Sequence, residues 1–368
     1  MDSFSRNLGE VRDNLVDIPL GRPEFGDSRY QPHDLDRSNF REITLAESGR
    51  KLSFVDGGNT GIIRAPNIAV DFTRLYFNIF RDDKRINPRI IPQRLGFYTV
   101  AYAASENGHI RYRTKLVPAR GEWERLRPEA GLMEFDSFDR SMMTGQSRAP
   151  ISRAAESARV FGEWKLAGMV MEKELDEGDI LVRDGSLQTR ITNESRFSAE
   201  ATERAMQSGV ILTGLSKSCS LLTSTGIPLV SAVSRLAGNH IRGPWAYHPV
   251  ASISHPDHPA EMMFVKLHEN SGYAFRFEFL KHQFKKIPRQ ELMEVLYCLA
   301  RNSRDPLFPG YPYGLYDADQ QGKVAEDEKG AHLMRFAQAA HEAGIWERVS
   351  EYVKASDAHD RISEIGRF

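Results

Sequence analysis

Four strand-like segments follow one another between residues 51 and 117 with only short polar links, and this run constrains the fold more than any other part of the chain. Leu52, Phe54 and Val55 lead into Asp56-Gly57-Gly58, and the other segments cover 68–80, 96–104 and 110–117. Consecutive strands with short connections pair antiparallel, so a meander is expected. Residues 119–150 are rich in Arg, Gly and Pro and read as loop.

Helical periodicity then takes over. Val160, Phe161, Trp164, Ala167, Gly168 and Met171 recur at 3.6-residue spacing, which predicts a helix over 152–175 with one apolar stripe. Next come an apolar strand at 180–182, a helix at 198–208 and a strand at 210–215. Further strands are expected at 262–268 and 273–280, with helices at 289–301, from Tyr316, and through 328–368. A meander followed by alternating helices and strands predicts an α/β fold, a mixed sheet flanked by helices.

With 49 basic and 50 acidic residues the net charge is −1, and 40% of the 368 residues are hydrophobic. That is enough to bury a sizeable core, and it excludes a disordered chain or a polycation. Nucleic-acid binding would need a local basic patch. Two stretches qualify, 81–94 and 281–289, with Phe80, Phe97 and Tyr98 placed to stack on bases beside the first. A solvated charged face is the plainer reading of either. Cys219 and Cys298 are too few for a disulfide framework and read as buried thiols of a reducing, cytoplasmic compartment. No apolar run approaches the ~18 residues of a membrane span. His248, His255, His258 and His268 cluster, but Pro249, Pro256 and Pro259 break their spacing, so a polar loop is expected rather than a zinc site.

No phosphate-binding or dinucleotide motif is present, nor a G-x-S-x-G nucleophile. What stands out are two Asp-Gly pairs closing apolar strands: FVDGG at 54–58 and LVRDGS at 181–186. Each alone reads equally as a turn. Side by side, Asp56 and Asp184 would repel unless a hard cation such as Mg²⁺ or Mn²⁺ sat between them. A third acid is expected from the intervening helix, Glu163 beside the apolar stripe or Glu156 one heptad earlier.

Five strings in order, FVDGG, GEWKLAGMVMEKELDEGDILVRDGSL, VILTGLSKS, FVKLHENSGYAFRFEF and GYPYGLYDAD, resemble the NurA family of DNA-end-processing nucleases over about residues 50–325. The resemblance implies an RNase H-like mixed sheet flanked by helices. The nuclease domain it implies spans 51–325; residues 1–50, polar and broken by Pro19, Pro23 and Pro32, read as an N-terminal helix and extended arm, and 326–368 as a C-terminal helical extension. The resemblance also implies a Mn²⁺- or Mg²⁺-dependent deoxyribonuclease, two ions, a homodimer, and a HerA-type hexameric translocase as partner in DNA end resection. Asp56, Glu163 and Asp184 match the family's strand and helix ligands. Asp319 stands where many relatives carry a His, and Lys217 matches the S-K strand end, placed to neutralise a phosphate or leaving oxygen. The tail, with Phe336, Trp346 and Tyr352, packs on its own domain or forms a self-association or translocase-docking surface. The competing readings are an RNase H-like nuclease for junction resolution or phage defence, and a catalytically weak DNA-binding adaptor of the translocase ring.

Overall fold

The computed structural model describes Asn7, Leu8, Val11, 18–44, 48–119, Leu126, 128–129, 131–238 and 240–356. The expected N-terminal helix falls largely outside the described residues, as do the last twelve residues of the tail. In chain order the elements are β1 (Pro23–Glu24), β2 (Tyr30–Pro32), β3 (Phe40–Glu42), β4 (Lys51–Ala65), β5 (Ile68–Arg81), β6 (Lys84–Ile86), β7 (Arg94–Glu106), β8 (His109–Pro118) and β9 (Glu134–Asp136). Then follow α1 (Ile151–Lys173), β10 (Ile180–Asp184), α2 (Glu194–Ser208), β11 (Ile211–Ser216), β12 (Leu222–Thr223), α3 (Leu229–Ala237), β13 (Trp245–Tyr247), β14 (Ala251–Ile253), β15 (Ala260–Lys266) and β16 (Phe275–Leu280). The chain continues through α4 (Lys281–Phe284), α5 (Arg289–Asn302), α6 (Tyr313–Gly322), α7 (Glu326–Glu342) and α8 (Trp346–Ser356). The fold is mixed α/β, with a large mixed sheet flanked by helices.

Two compact units divide the chain. One comprises 1–50, 182–188 and 211–313, the other 51–181, 189–210 and 314–368. The division runs through β10.

In the second unit the expected meander is present as β4–β5–β7–β8, antiparallel throughout, with β6 on β5 and β9 on β8. β4 is longer than its sequence suggests. It runs through Asp56-Gly57-Gly58 without turning and pairs residue for residue with β5 up to an irregularity at Gly61/Ile63. The first Asp-Gly pair is therefore mid-strand, whereas the second ends β10 as expected. The single stripe expected on α1 is also corrected. Fourteen of its residues are buried on all sides, because it packs on β4, β5, β7 and β8 and carries α2 on its outer face. The Trp164 indole N–H there donates to Glu194 Oε1 at 2.9 Å. The tail helices seat on their own unit: Val349 of α8 joins Ile62, Ile63, Val70 and Phe72, with Phe336 and Val353 alongside.

In the first unit β3, β13, β15, β16 and β11 form successive antiparallel pairs. Phe40 meets Trp245 and Tyr247 edge-on at centroid distances of 5.1 and 4.7 Å over a core that α3 closes with Leu229 and Val233. Inside this apolar body lies an ionic cluster. Glu278 of β16 is fully buried and paired with Arg276 and with His258, whose Nε2 is 3.1 Å away. The histidines flagged in the sequence have different acidic partners. His258 is buried here, His248 lies 3.0 Å from Glu261, and His255 faces Asp27 at 3.8 Å.

Burial alone would raise the Glu278 carboxyl, but Arg276, His258 and the Leu187 amide outweigh it and hold the group at about 2, from an ordinary 4.5. A carboxylate whose folded pKa is depressed contributes stability above its unfolded pKa and loses it as pH falls through the folded one. Acid titration is therefore expected to cost this unit roughly 3 kcal/mol between about pH 4.5 and 2. Urea unfolding followed by Trp fluorescence at stepped pH measures this, and Glu278→Gln is expected to flatten the profile in that window.

Candidate metal centre

Successive strand residues point to opposite faces, so Phe54, Asp56 and Gly58 share one face of β4 while Gly57 points to the other. On the first face lies α6. A Cβ on Gly314 would collide with the Phe54 ring, and one on Gly58 with the Gly322 carbonyl oxygen. From Gly314 to Gly322 the helix rises ~12 Å, and from Phe54 to Gly58 the strand advances ~13 Å. Helix and strand therefore run side by side in the same direction, backbone against backbone at Gly58 and Gly322 and with the Phe54 ring between them at Gly314, and Asp319 falls between those ends, close to Asp56.

A buried polar cluster fixes the helix in this register. The Asn78 amide donates to Gly314 O at 2.8 Å and to Asp317 Oδ2 at 2.7 Å. The Tyr76 hydroxyl and Arg85 reach the same carboxylate at 3.3 and 2.8 Å. Desolvation, followed by the Asp317 charge, raises the Tyr76 phenol above its ordinary value. Arg94 pairs with Gln321 on the same helix. Arg85 and Arg94, read in the sequence as part of a solvated charged face or a phosphate contact, have partners on α6. Phe80 and Phe97 cannot stack on nucleobases, because both are core residues. Tyr98 is engaged at 2.8 Å with His332.

Asp184 closes β10, and its Oδ2 lies 2.6 Å from Lys217 Nζ just beyond the end of β11. Asp319 has a cation of its own, Lys323 at 2.6 Å one helical turn on. Asp56, Asp184 and Asp319 each offer a carboxylate oxygen, and the three oxygens lie within 4.8 Å of one another. Asp56 is buried and the other two are half-buried. At that spacing each pair of charges repels by about 3 kcal/mol at an effective dielectric of ~20. Lys217 and Lys323 offset part of this, and three hard oxygen donors at one point fit a divalent cation such as Mg²⁺ or Mn²⁺.

Glu163 stands outside this group of three. It approaches β4 from the opposite face, where the absent side chain of Gly57 leaves room for its Oε1 and for Arg159, with which it pairs. Glu156 lies 4.0 Å from Arg64, towards the other end of the strand. Of the two helix acids, Glu163 is thus the one that lies beside Gly57, the residue following Asp56. Sequence reasoning missed Lys323, although its i,i+4 spacing from Asp319 is readable. It also missed Asn78, whose only signal is a lone amide in an apolar strand. Cys219 and Cys298 are unbridged and half-buried, and burial raises the Cys219 thiol. Among the described residues no helix is long and apolar enough to cross a membrane.

No family model and no curated protein matches the chain. Among solved structures it is similar to that of Aquifex aeolicus Argonaute, at 10% identity and a TM-score of 0.23, over 70% of this chain and 25% of that one. A likeness of that size bears on neither chemistry nor ancestry.

The contact between α6 and β4 makes a contrast of two glycines informative. Gly58→Ala must push the helix backbone away and is expected to cost about 1–3 kcal/mol while weakening Mn²⁺ uptake. Gly330→Ala, in α7 with nothing within 4 Å of the added methyl, is expected to stabilise by up to about 1 kcal/mol and leave uptake unchanged. Urea unfolding and calorimetric Mn²⁺ titration check both.

Proposed function

We propose that this chain is a divalent-cation-dependent deoxyribonuclease of the NurA type, built on an RNase H-like core. The convergence of Asp56, Asp184 and Asp319 from three separated segments carries this reading. A divalent ion held there would activate a water and stabilise the departing oxygen of a phosphodiester. The chain's own part is to fix the donors. Asp56 is set by a long central strand, Asp319 by the glycine-backed helix and Asp184 by a strand end. Lys217 and Lys323 neutralise the carboxylates and stand ready to meet phosphate oxygens. Glu163, seated behind Gly57 with Arg159, supports the strand at Asp56.

The five strings that resemble the family support the finer reading. In it the protein is a homodimer acting with a HerA-type hexameric translocase, degrading DNA from ends and cutting single strands during resection, and two ions serve the site. A second reading is favoured by one observation. Two of the three aspartates already hold a lysine, as they would in an adaptor of the translocase ring with weak or no catalysis.

Cleavage assays on linear duplex and single-stranded DNA separate the two. The nuclease reading expects Mn²⁺-dependent cleavage that EDTA abolishes, and no detectable cleavage by Asp56→Asn, Asp184→Asn or Asp319→Asn variants that retain the wild-type melting temperature. Cleavage that persists in any of these variants would refute the site, and DNA binding without cleavage at any Mn²⁺ concentration would favour the adaptor.

A further inference from the structure

Two sequence features remain without a role in the proposed chemistry: the Arg276/Glu278 pair of the FRFEF string, and His258. The structure places both beneath the segment that follows Asp184. At Gly185 the chain turns with φ +101°, a conformation that side-chain-bearing residues rarely adopt. Three hydrogen bonds then hold the segment. The Gly185 N–H donates to Leu215 O at 2.8 Å, Arg183 Nη1 donates to Ser186 O at 2.9 Å, and the Leu187 N–H donates to Glu278 Oε2 at 2.8 Å. Opposite Glu278 in the ladder sits Gly214, where a Cβ would lie 2.6 Å from Gly185 O, so the turn rests directly on β11.

The third hydrogen bond differs from the others in what stands behind it. Glu278 is completely buried, and its carboxylate is oriented by Arg276 and by His258, whose Nδ1 is 2.9 Å from the Tyr30 hydroxyl. Burying such a cluster is expensive, and well-packed apolar side chains often serve stability equally well. What it provides is direction: a charged acceptor held on one amide, stronger than a neutral acceptor would be. That amide lies three residues beyond Asp184, on the far side of the glycine turn, where it adds a charged anchor to the two hydrogen bonds made at Gly185 and Ser186.

We propose that Glu278 is a positioning residue for Asp184: with Arg276 and His258 it pins the Leu187 amide and so fixes the turn that aims the Asp184 carboxylate. The inference rests on the metal-site reading. Losing such outer-shell support typically weakens a metal site 10–100-fold.

The test compares Glu278→Gln with Val265→Ala, a truncation of a fully buried apolar side chain in the neighbouring strand whose ladder partner is Phe275 rather than Arg276 or Glu278. Tyr30→Phe, which removes only the outer hydrogen bond, is the milder companion should Glu278→Gln fail to fold. Glu278→Gln is expected to bind Mn²⁺ 10–100-fold more weakly by calorimetry. Its kcat at limiting Mn²⁺ should fall with little change in KM for oligonucleotide, and excess Mn²⁺ should restore it. Tyr30→Phe is expected to show the same trend at smaller size. Val265→Ala is expected to lower the melting temperature and leave Mn²⁺ affinity at the wild-type value. Hydrogen exchange of the 183–189 segment, measured without metal, is expected to speed up in Glu278→Gln and not in Val265→Ala. Unchanged exchange, unchanged Mn²⁺ affinity, or an equal loss of affinity in Val265→Ala would each overturn the positioning role. A wild-type chain that takes up no Mn²⁺ would instead remove the nuclease reading, and the exchange measurement would still decide whether Glu278 holds the turn.

Discussion

The approach of α6 to β4 at backbone distance is the constraint on which the candidate site depends. A helix normally stands off a sheet by the thickness of its side chains. Here Gly322 and Gly58 meet backbone to backbone at one end, and at the other Gly314 leaves only the Phe54 ring between helix and strand. The gap that remains is short enough for an aspartate on the helix and one on the strand to share a cation. Because the helix rise and the strand advance match over this stretch, the contact fixes register as well as distance. Asp317, held by Asn78, Tyr76 and Arg85, keeps the helix from sliding.

Electrostatics follows from the same geometry. Three carboxylates within 4.8 Å form an unstable group unless cations balance them, and the chain supplies Lys217 and Lys323. Each unit also holds a buried polar cluster behind one of the aspartates, Asp317 with Asn78 behind Asp319, and Glu278 with Arg276 and His258 beneath the turn after Asp184. In both, a buried carboxylate collects donors from several elements, so the metal-ligand candidates themselves need not carry the packing.

Much of this was legible in the sequence, for definable reasons. Residues 51–117 read as a meander because alternation and polar links are local signals. Asp184 read as a strand end because Ile180-Leu181-Val182 is short, apolar and followed by Asp-Gly. Asp56 was misplaced to a strand end. Asp-Gly is a turn signal only when nothing pairs across it, and here β5 continues opposite, α6 needs Gly58 and Glu163 of α1 needs Gly57. The α1 stripe was underestimated because a helix covered on both sides has no polar face to define a period. The basic stretch 81–94 and the aromatics near it looked like a DNA surface, yet Arg85 and Arg94 have partners on α6, more than two hundred residues away in sequence. Such pairings carry no local signature, and neither does the burial of Phe80 and Phe97.

The lysine partners of Asp184 and Asp319 have one further consequence. Their side chains are 39% and 60% exposed and are long, flexible stems. On the proposed nuclease reading the three carboxylates would act as a small ion exchanger. Lys217 and Lys323, tethered monovalent charges, pair with two of them. A divalent ion taking their place would release two positive groups, to which an anionic polymer would be drawn. Loading and capture would then be ordered events, the first creating the attraction that drives the second.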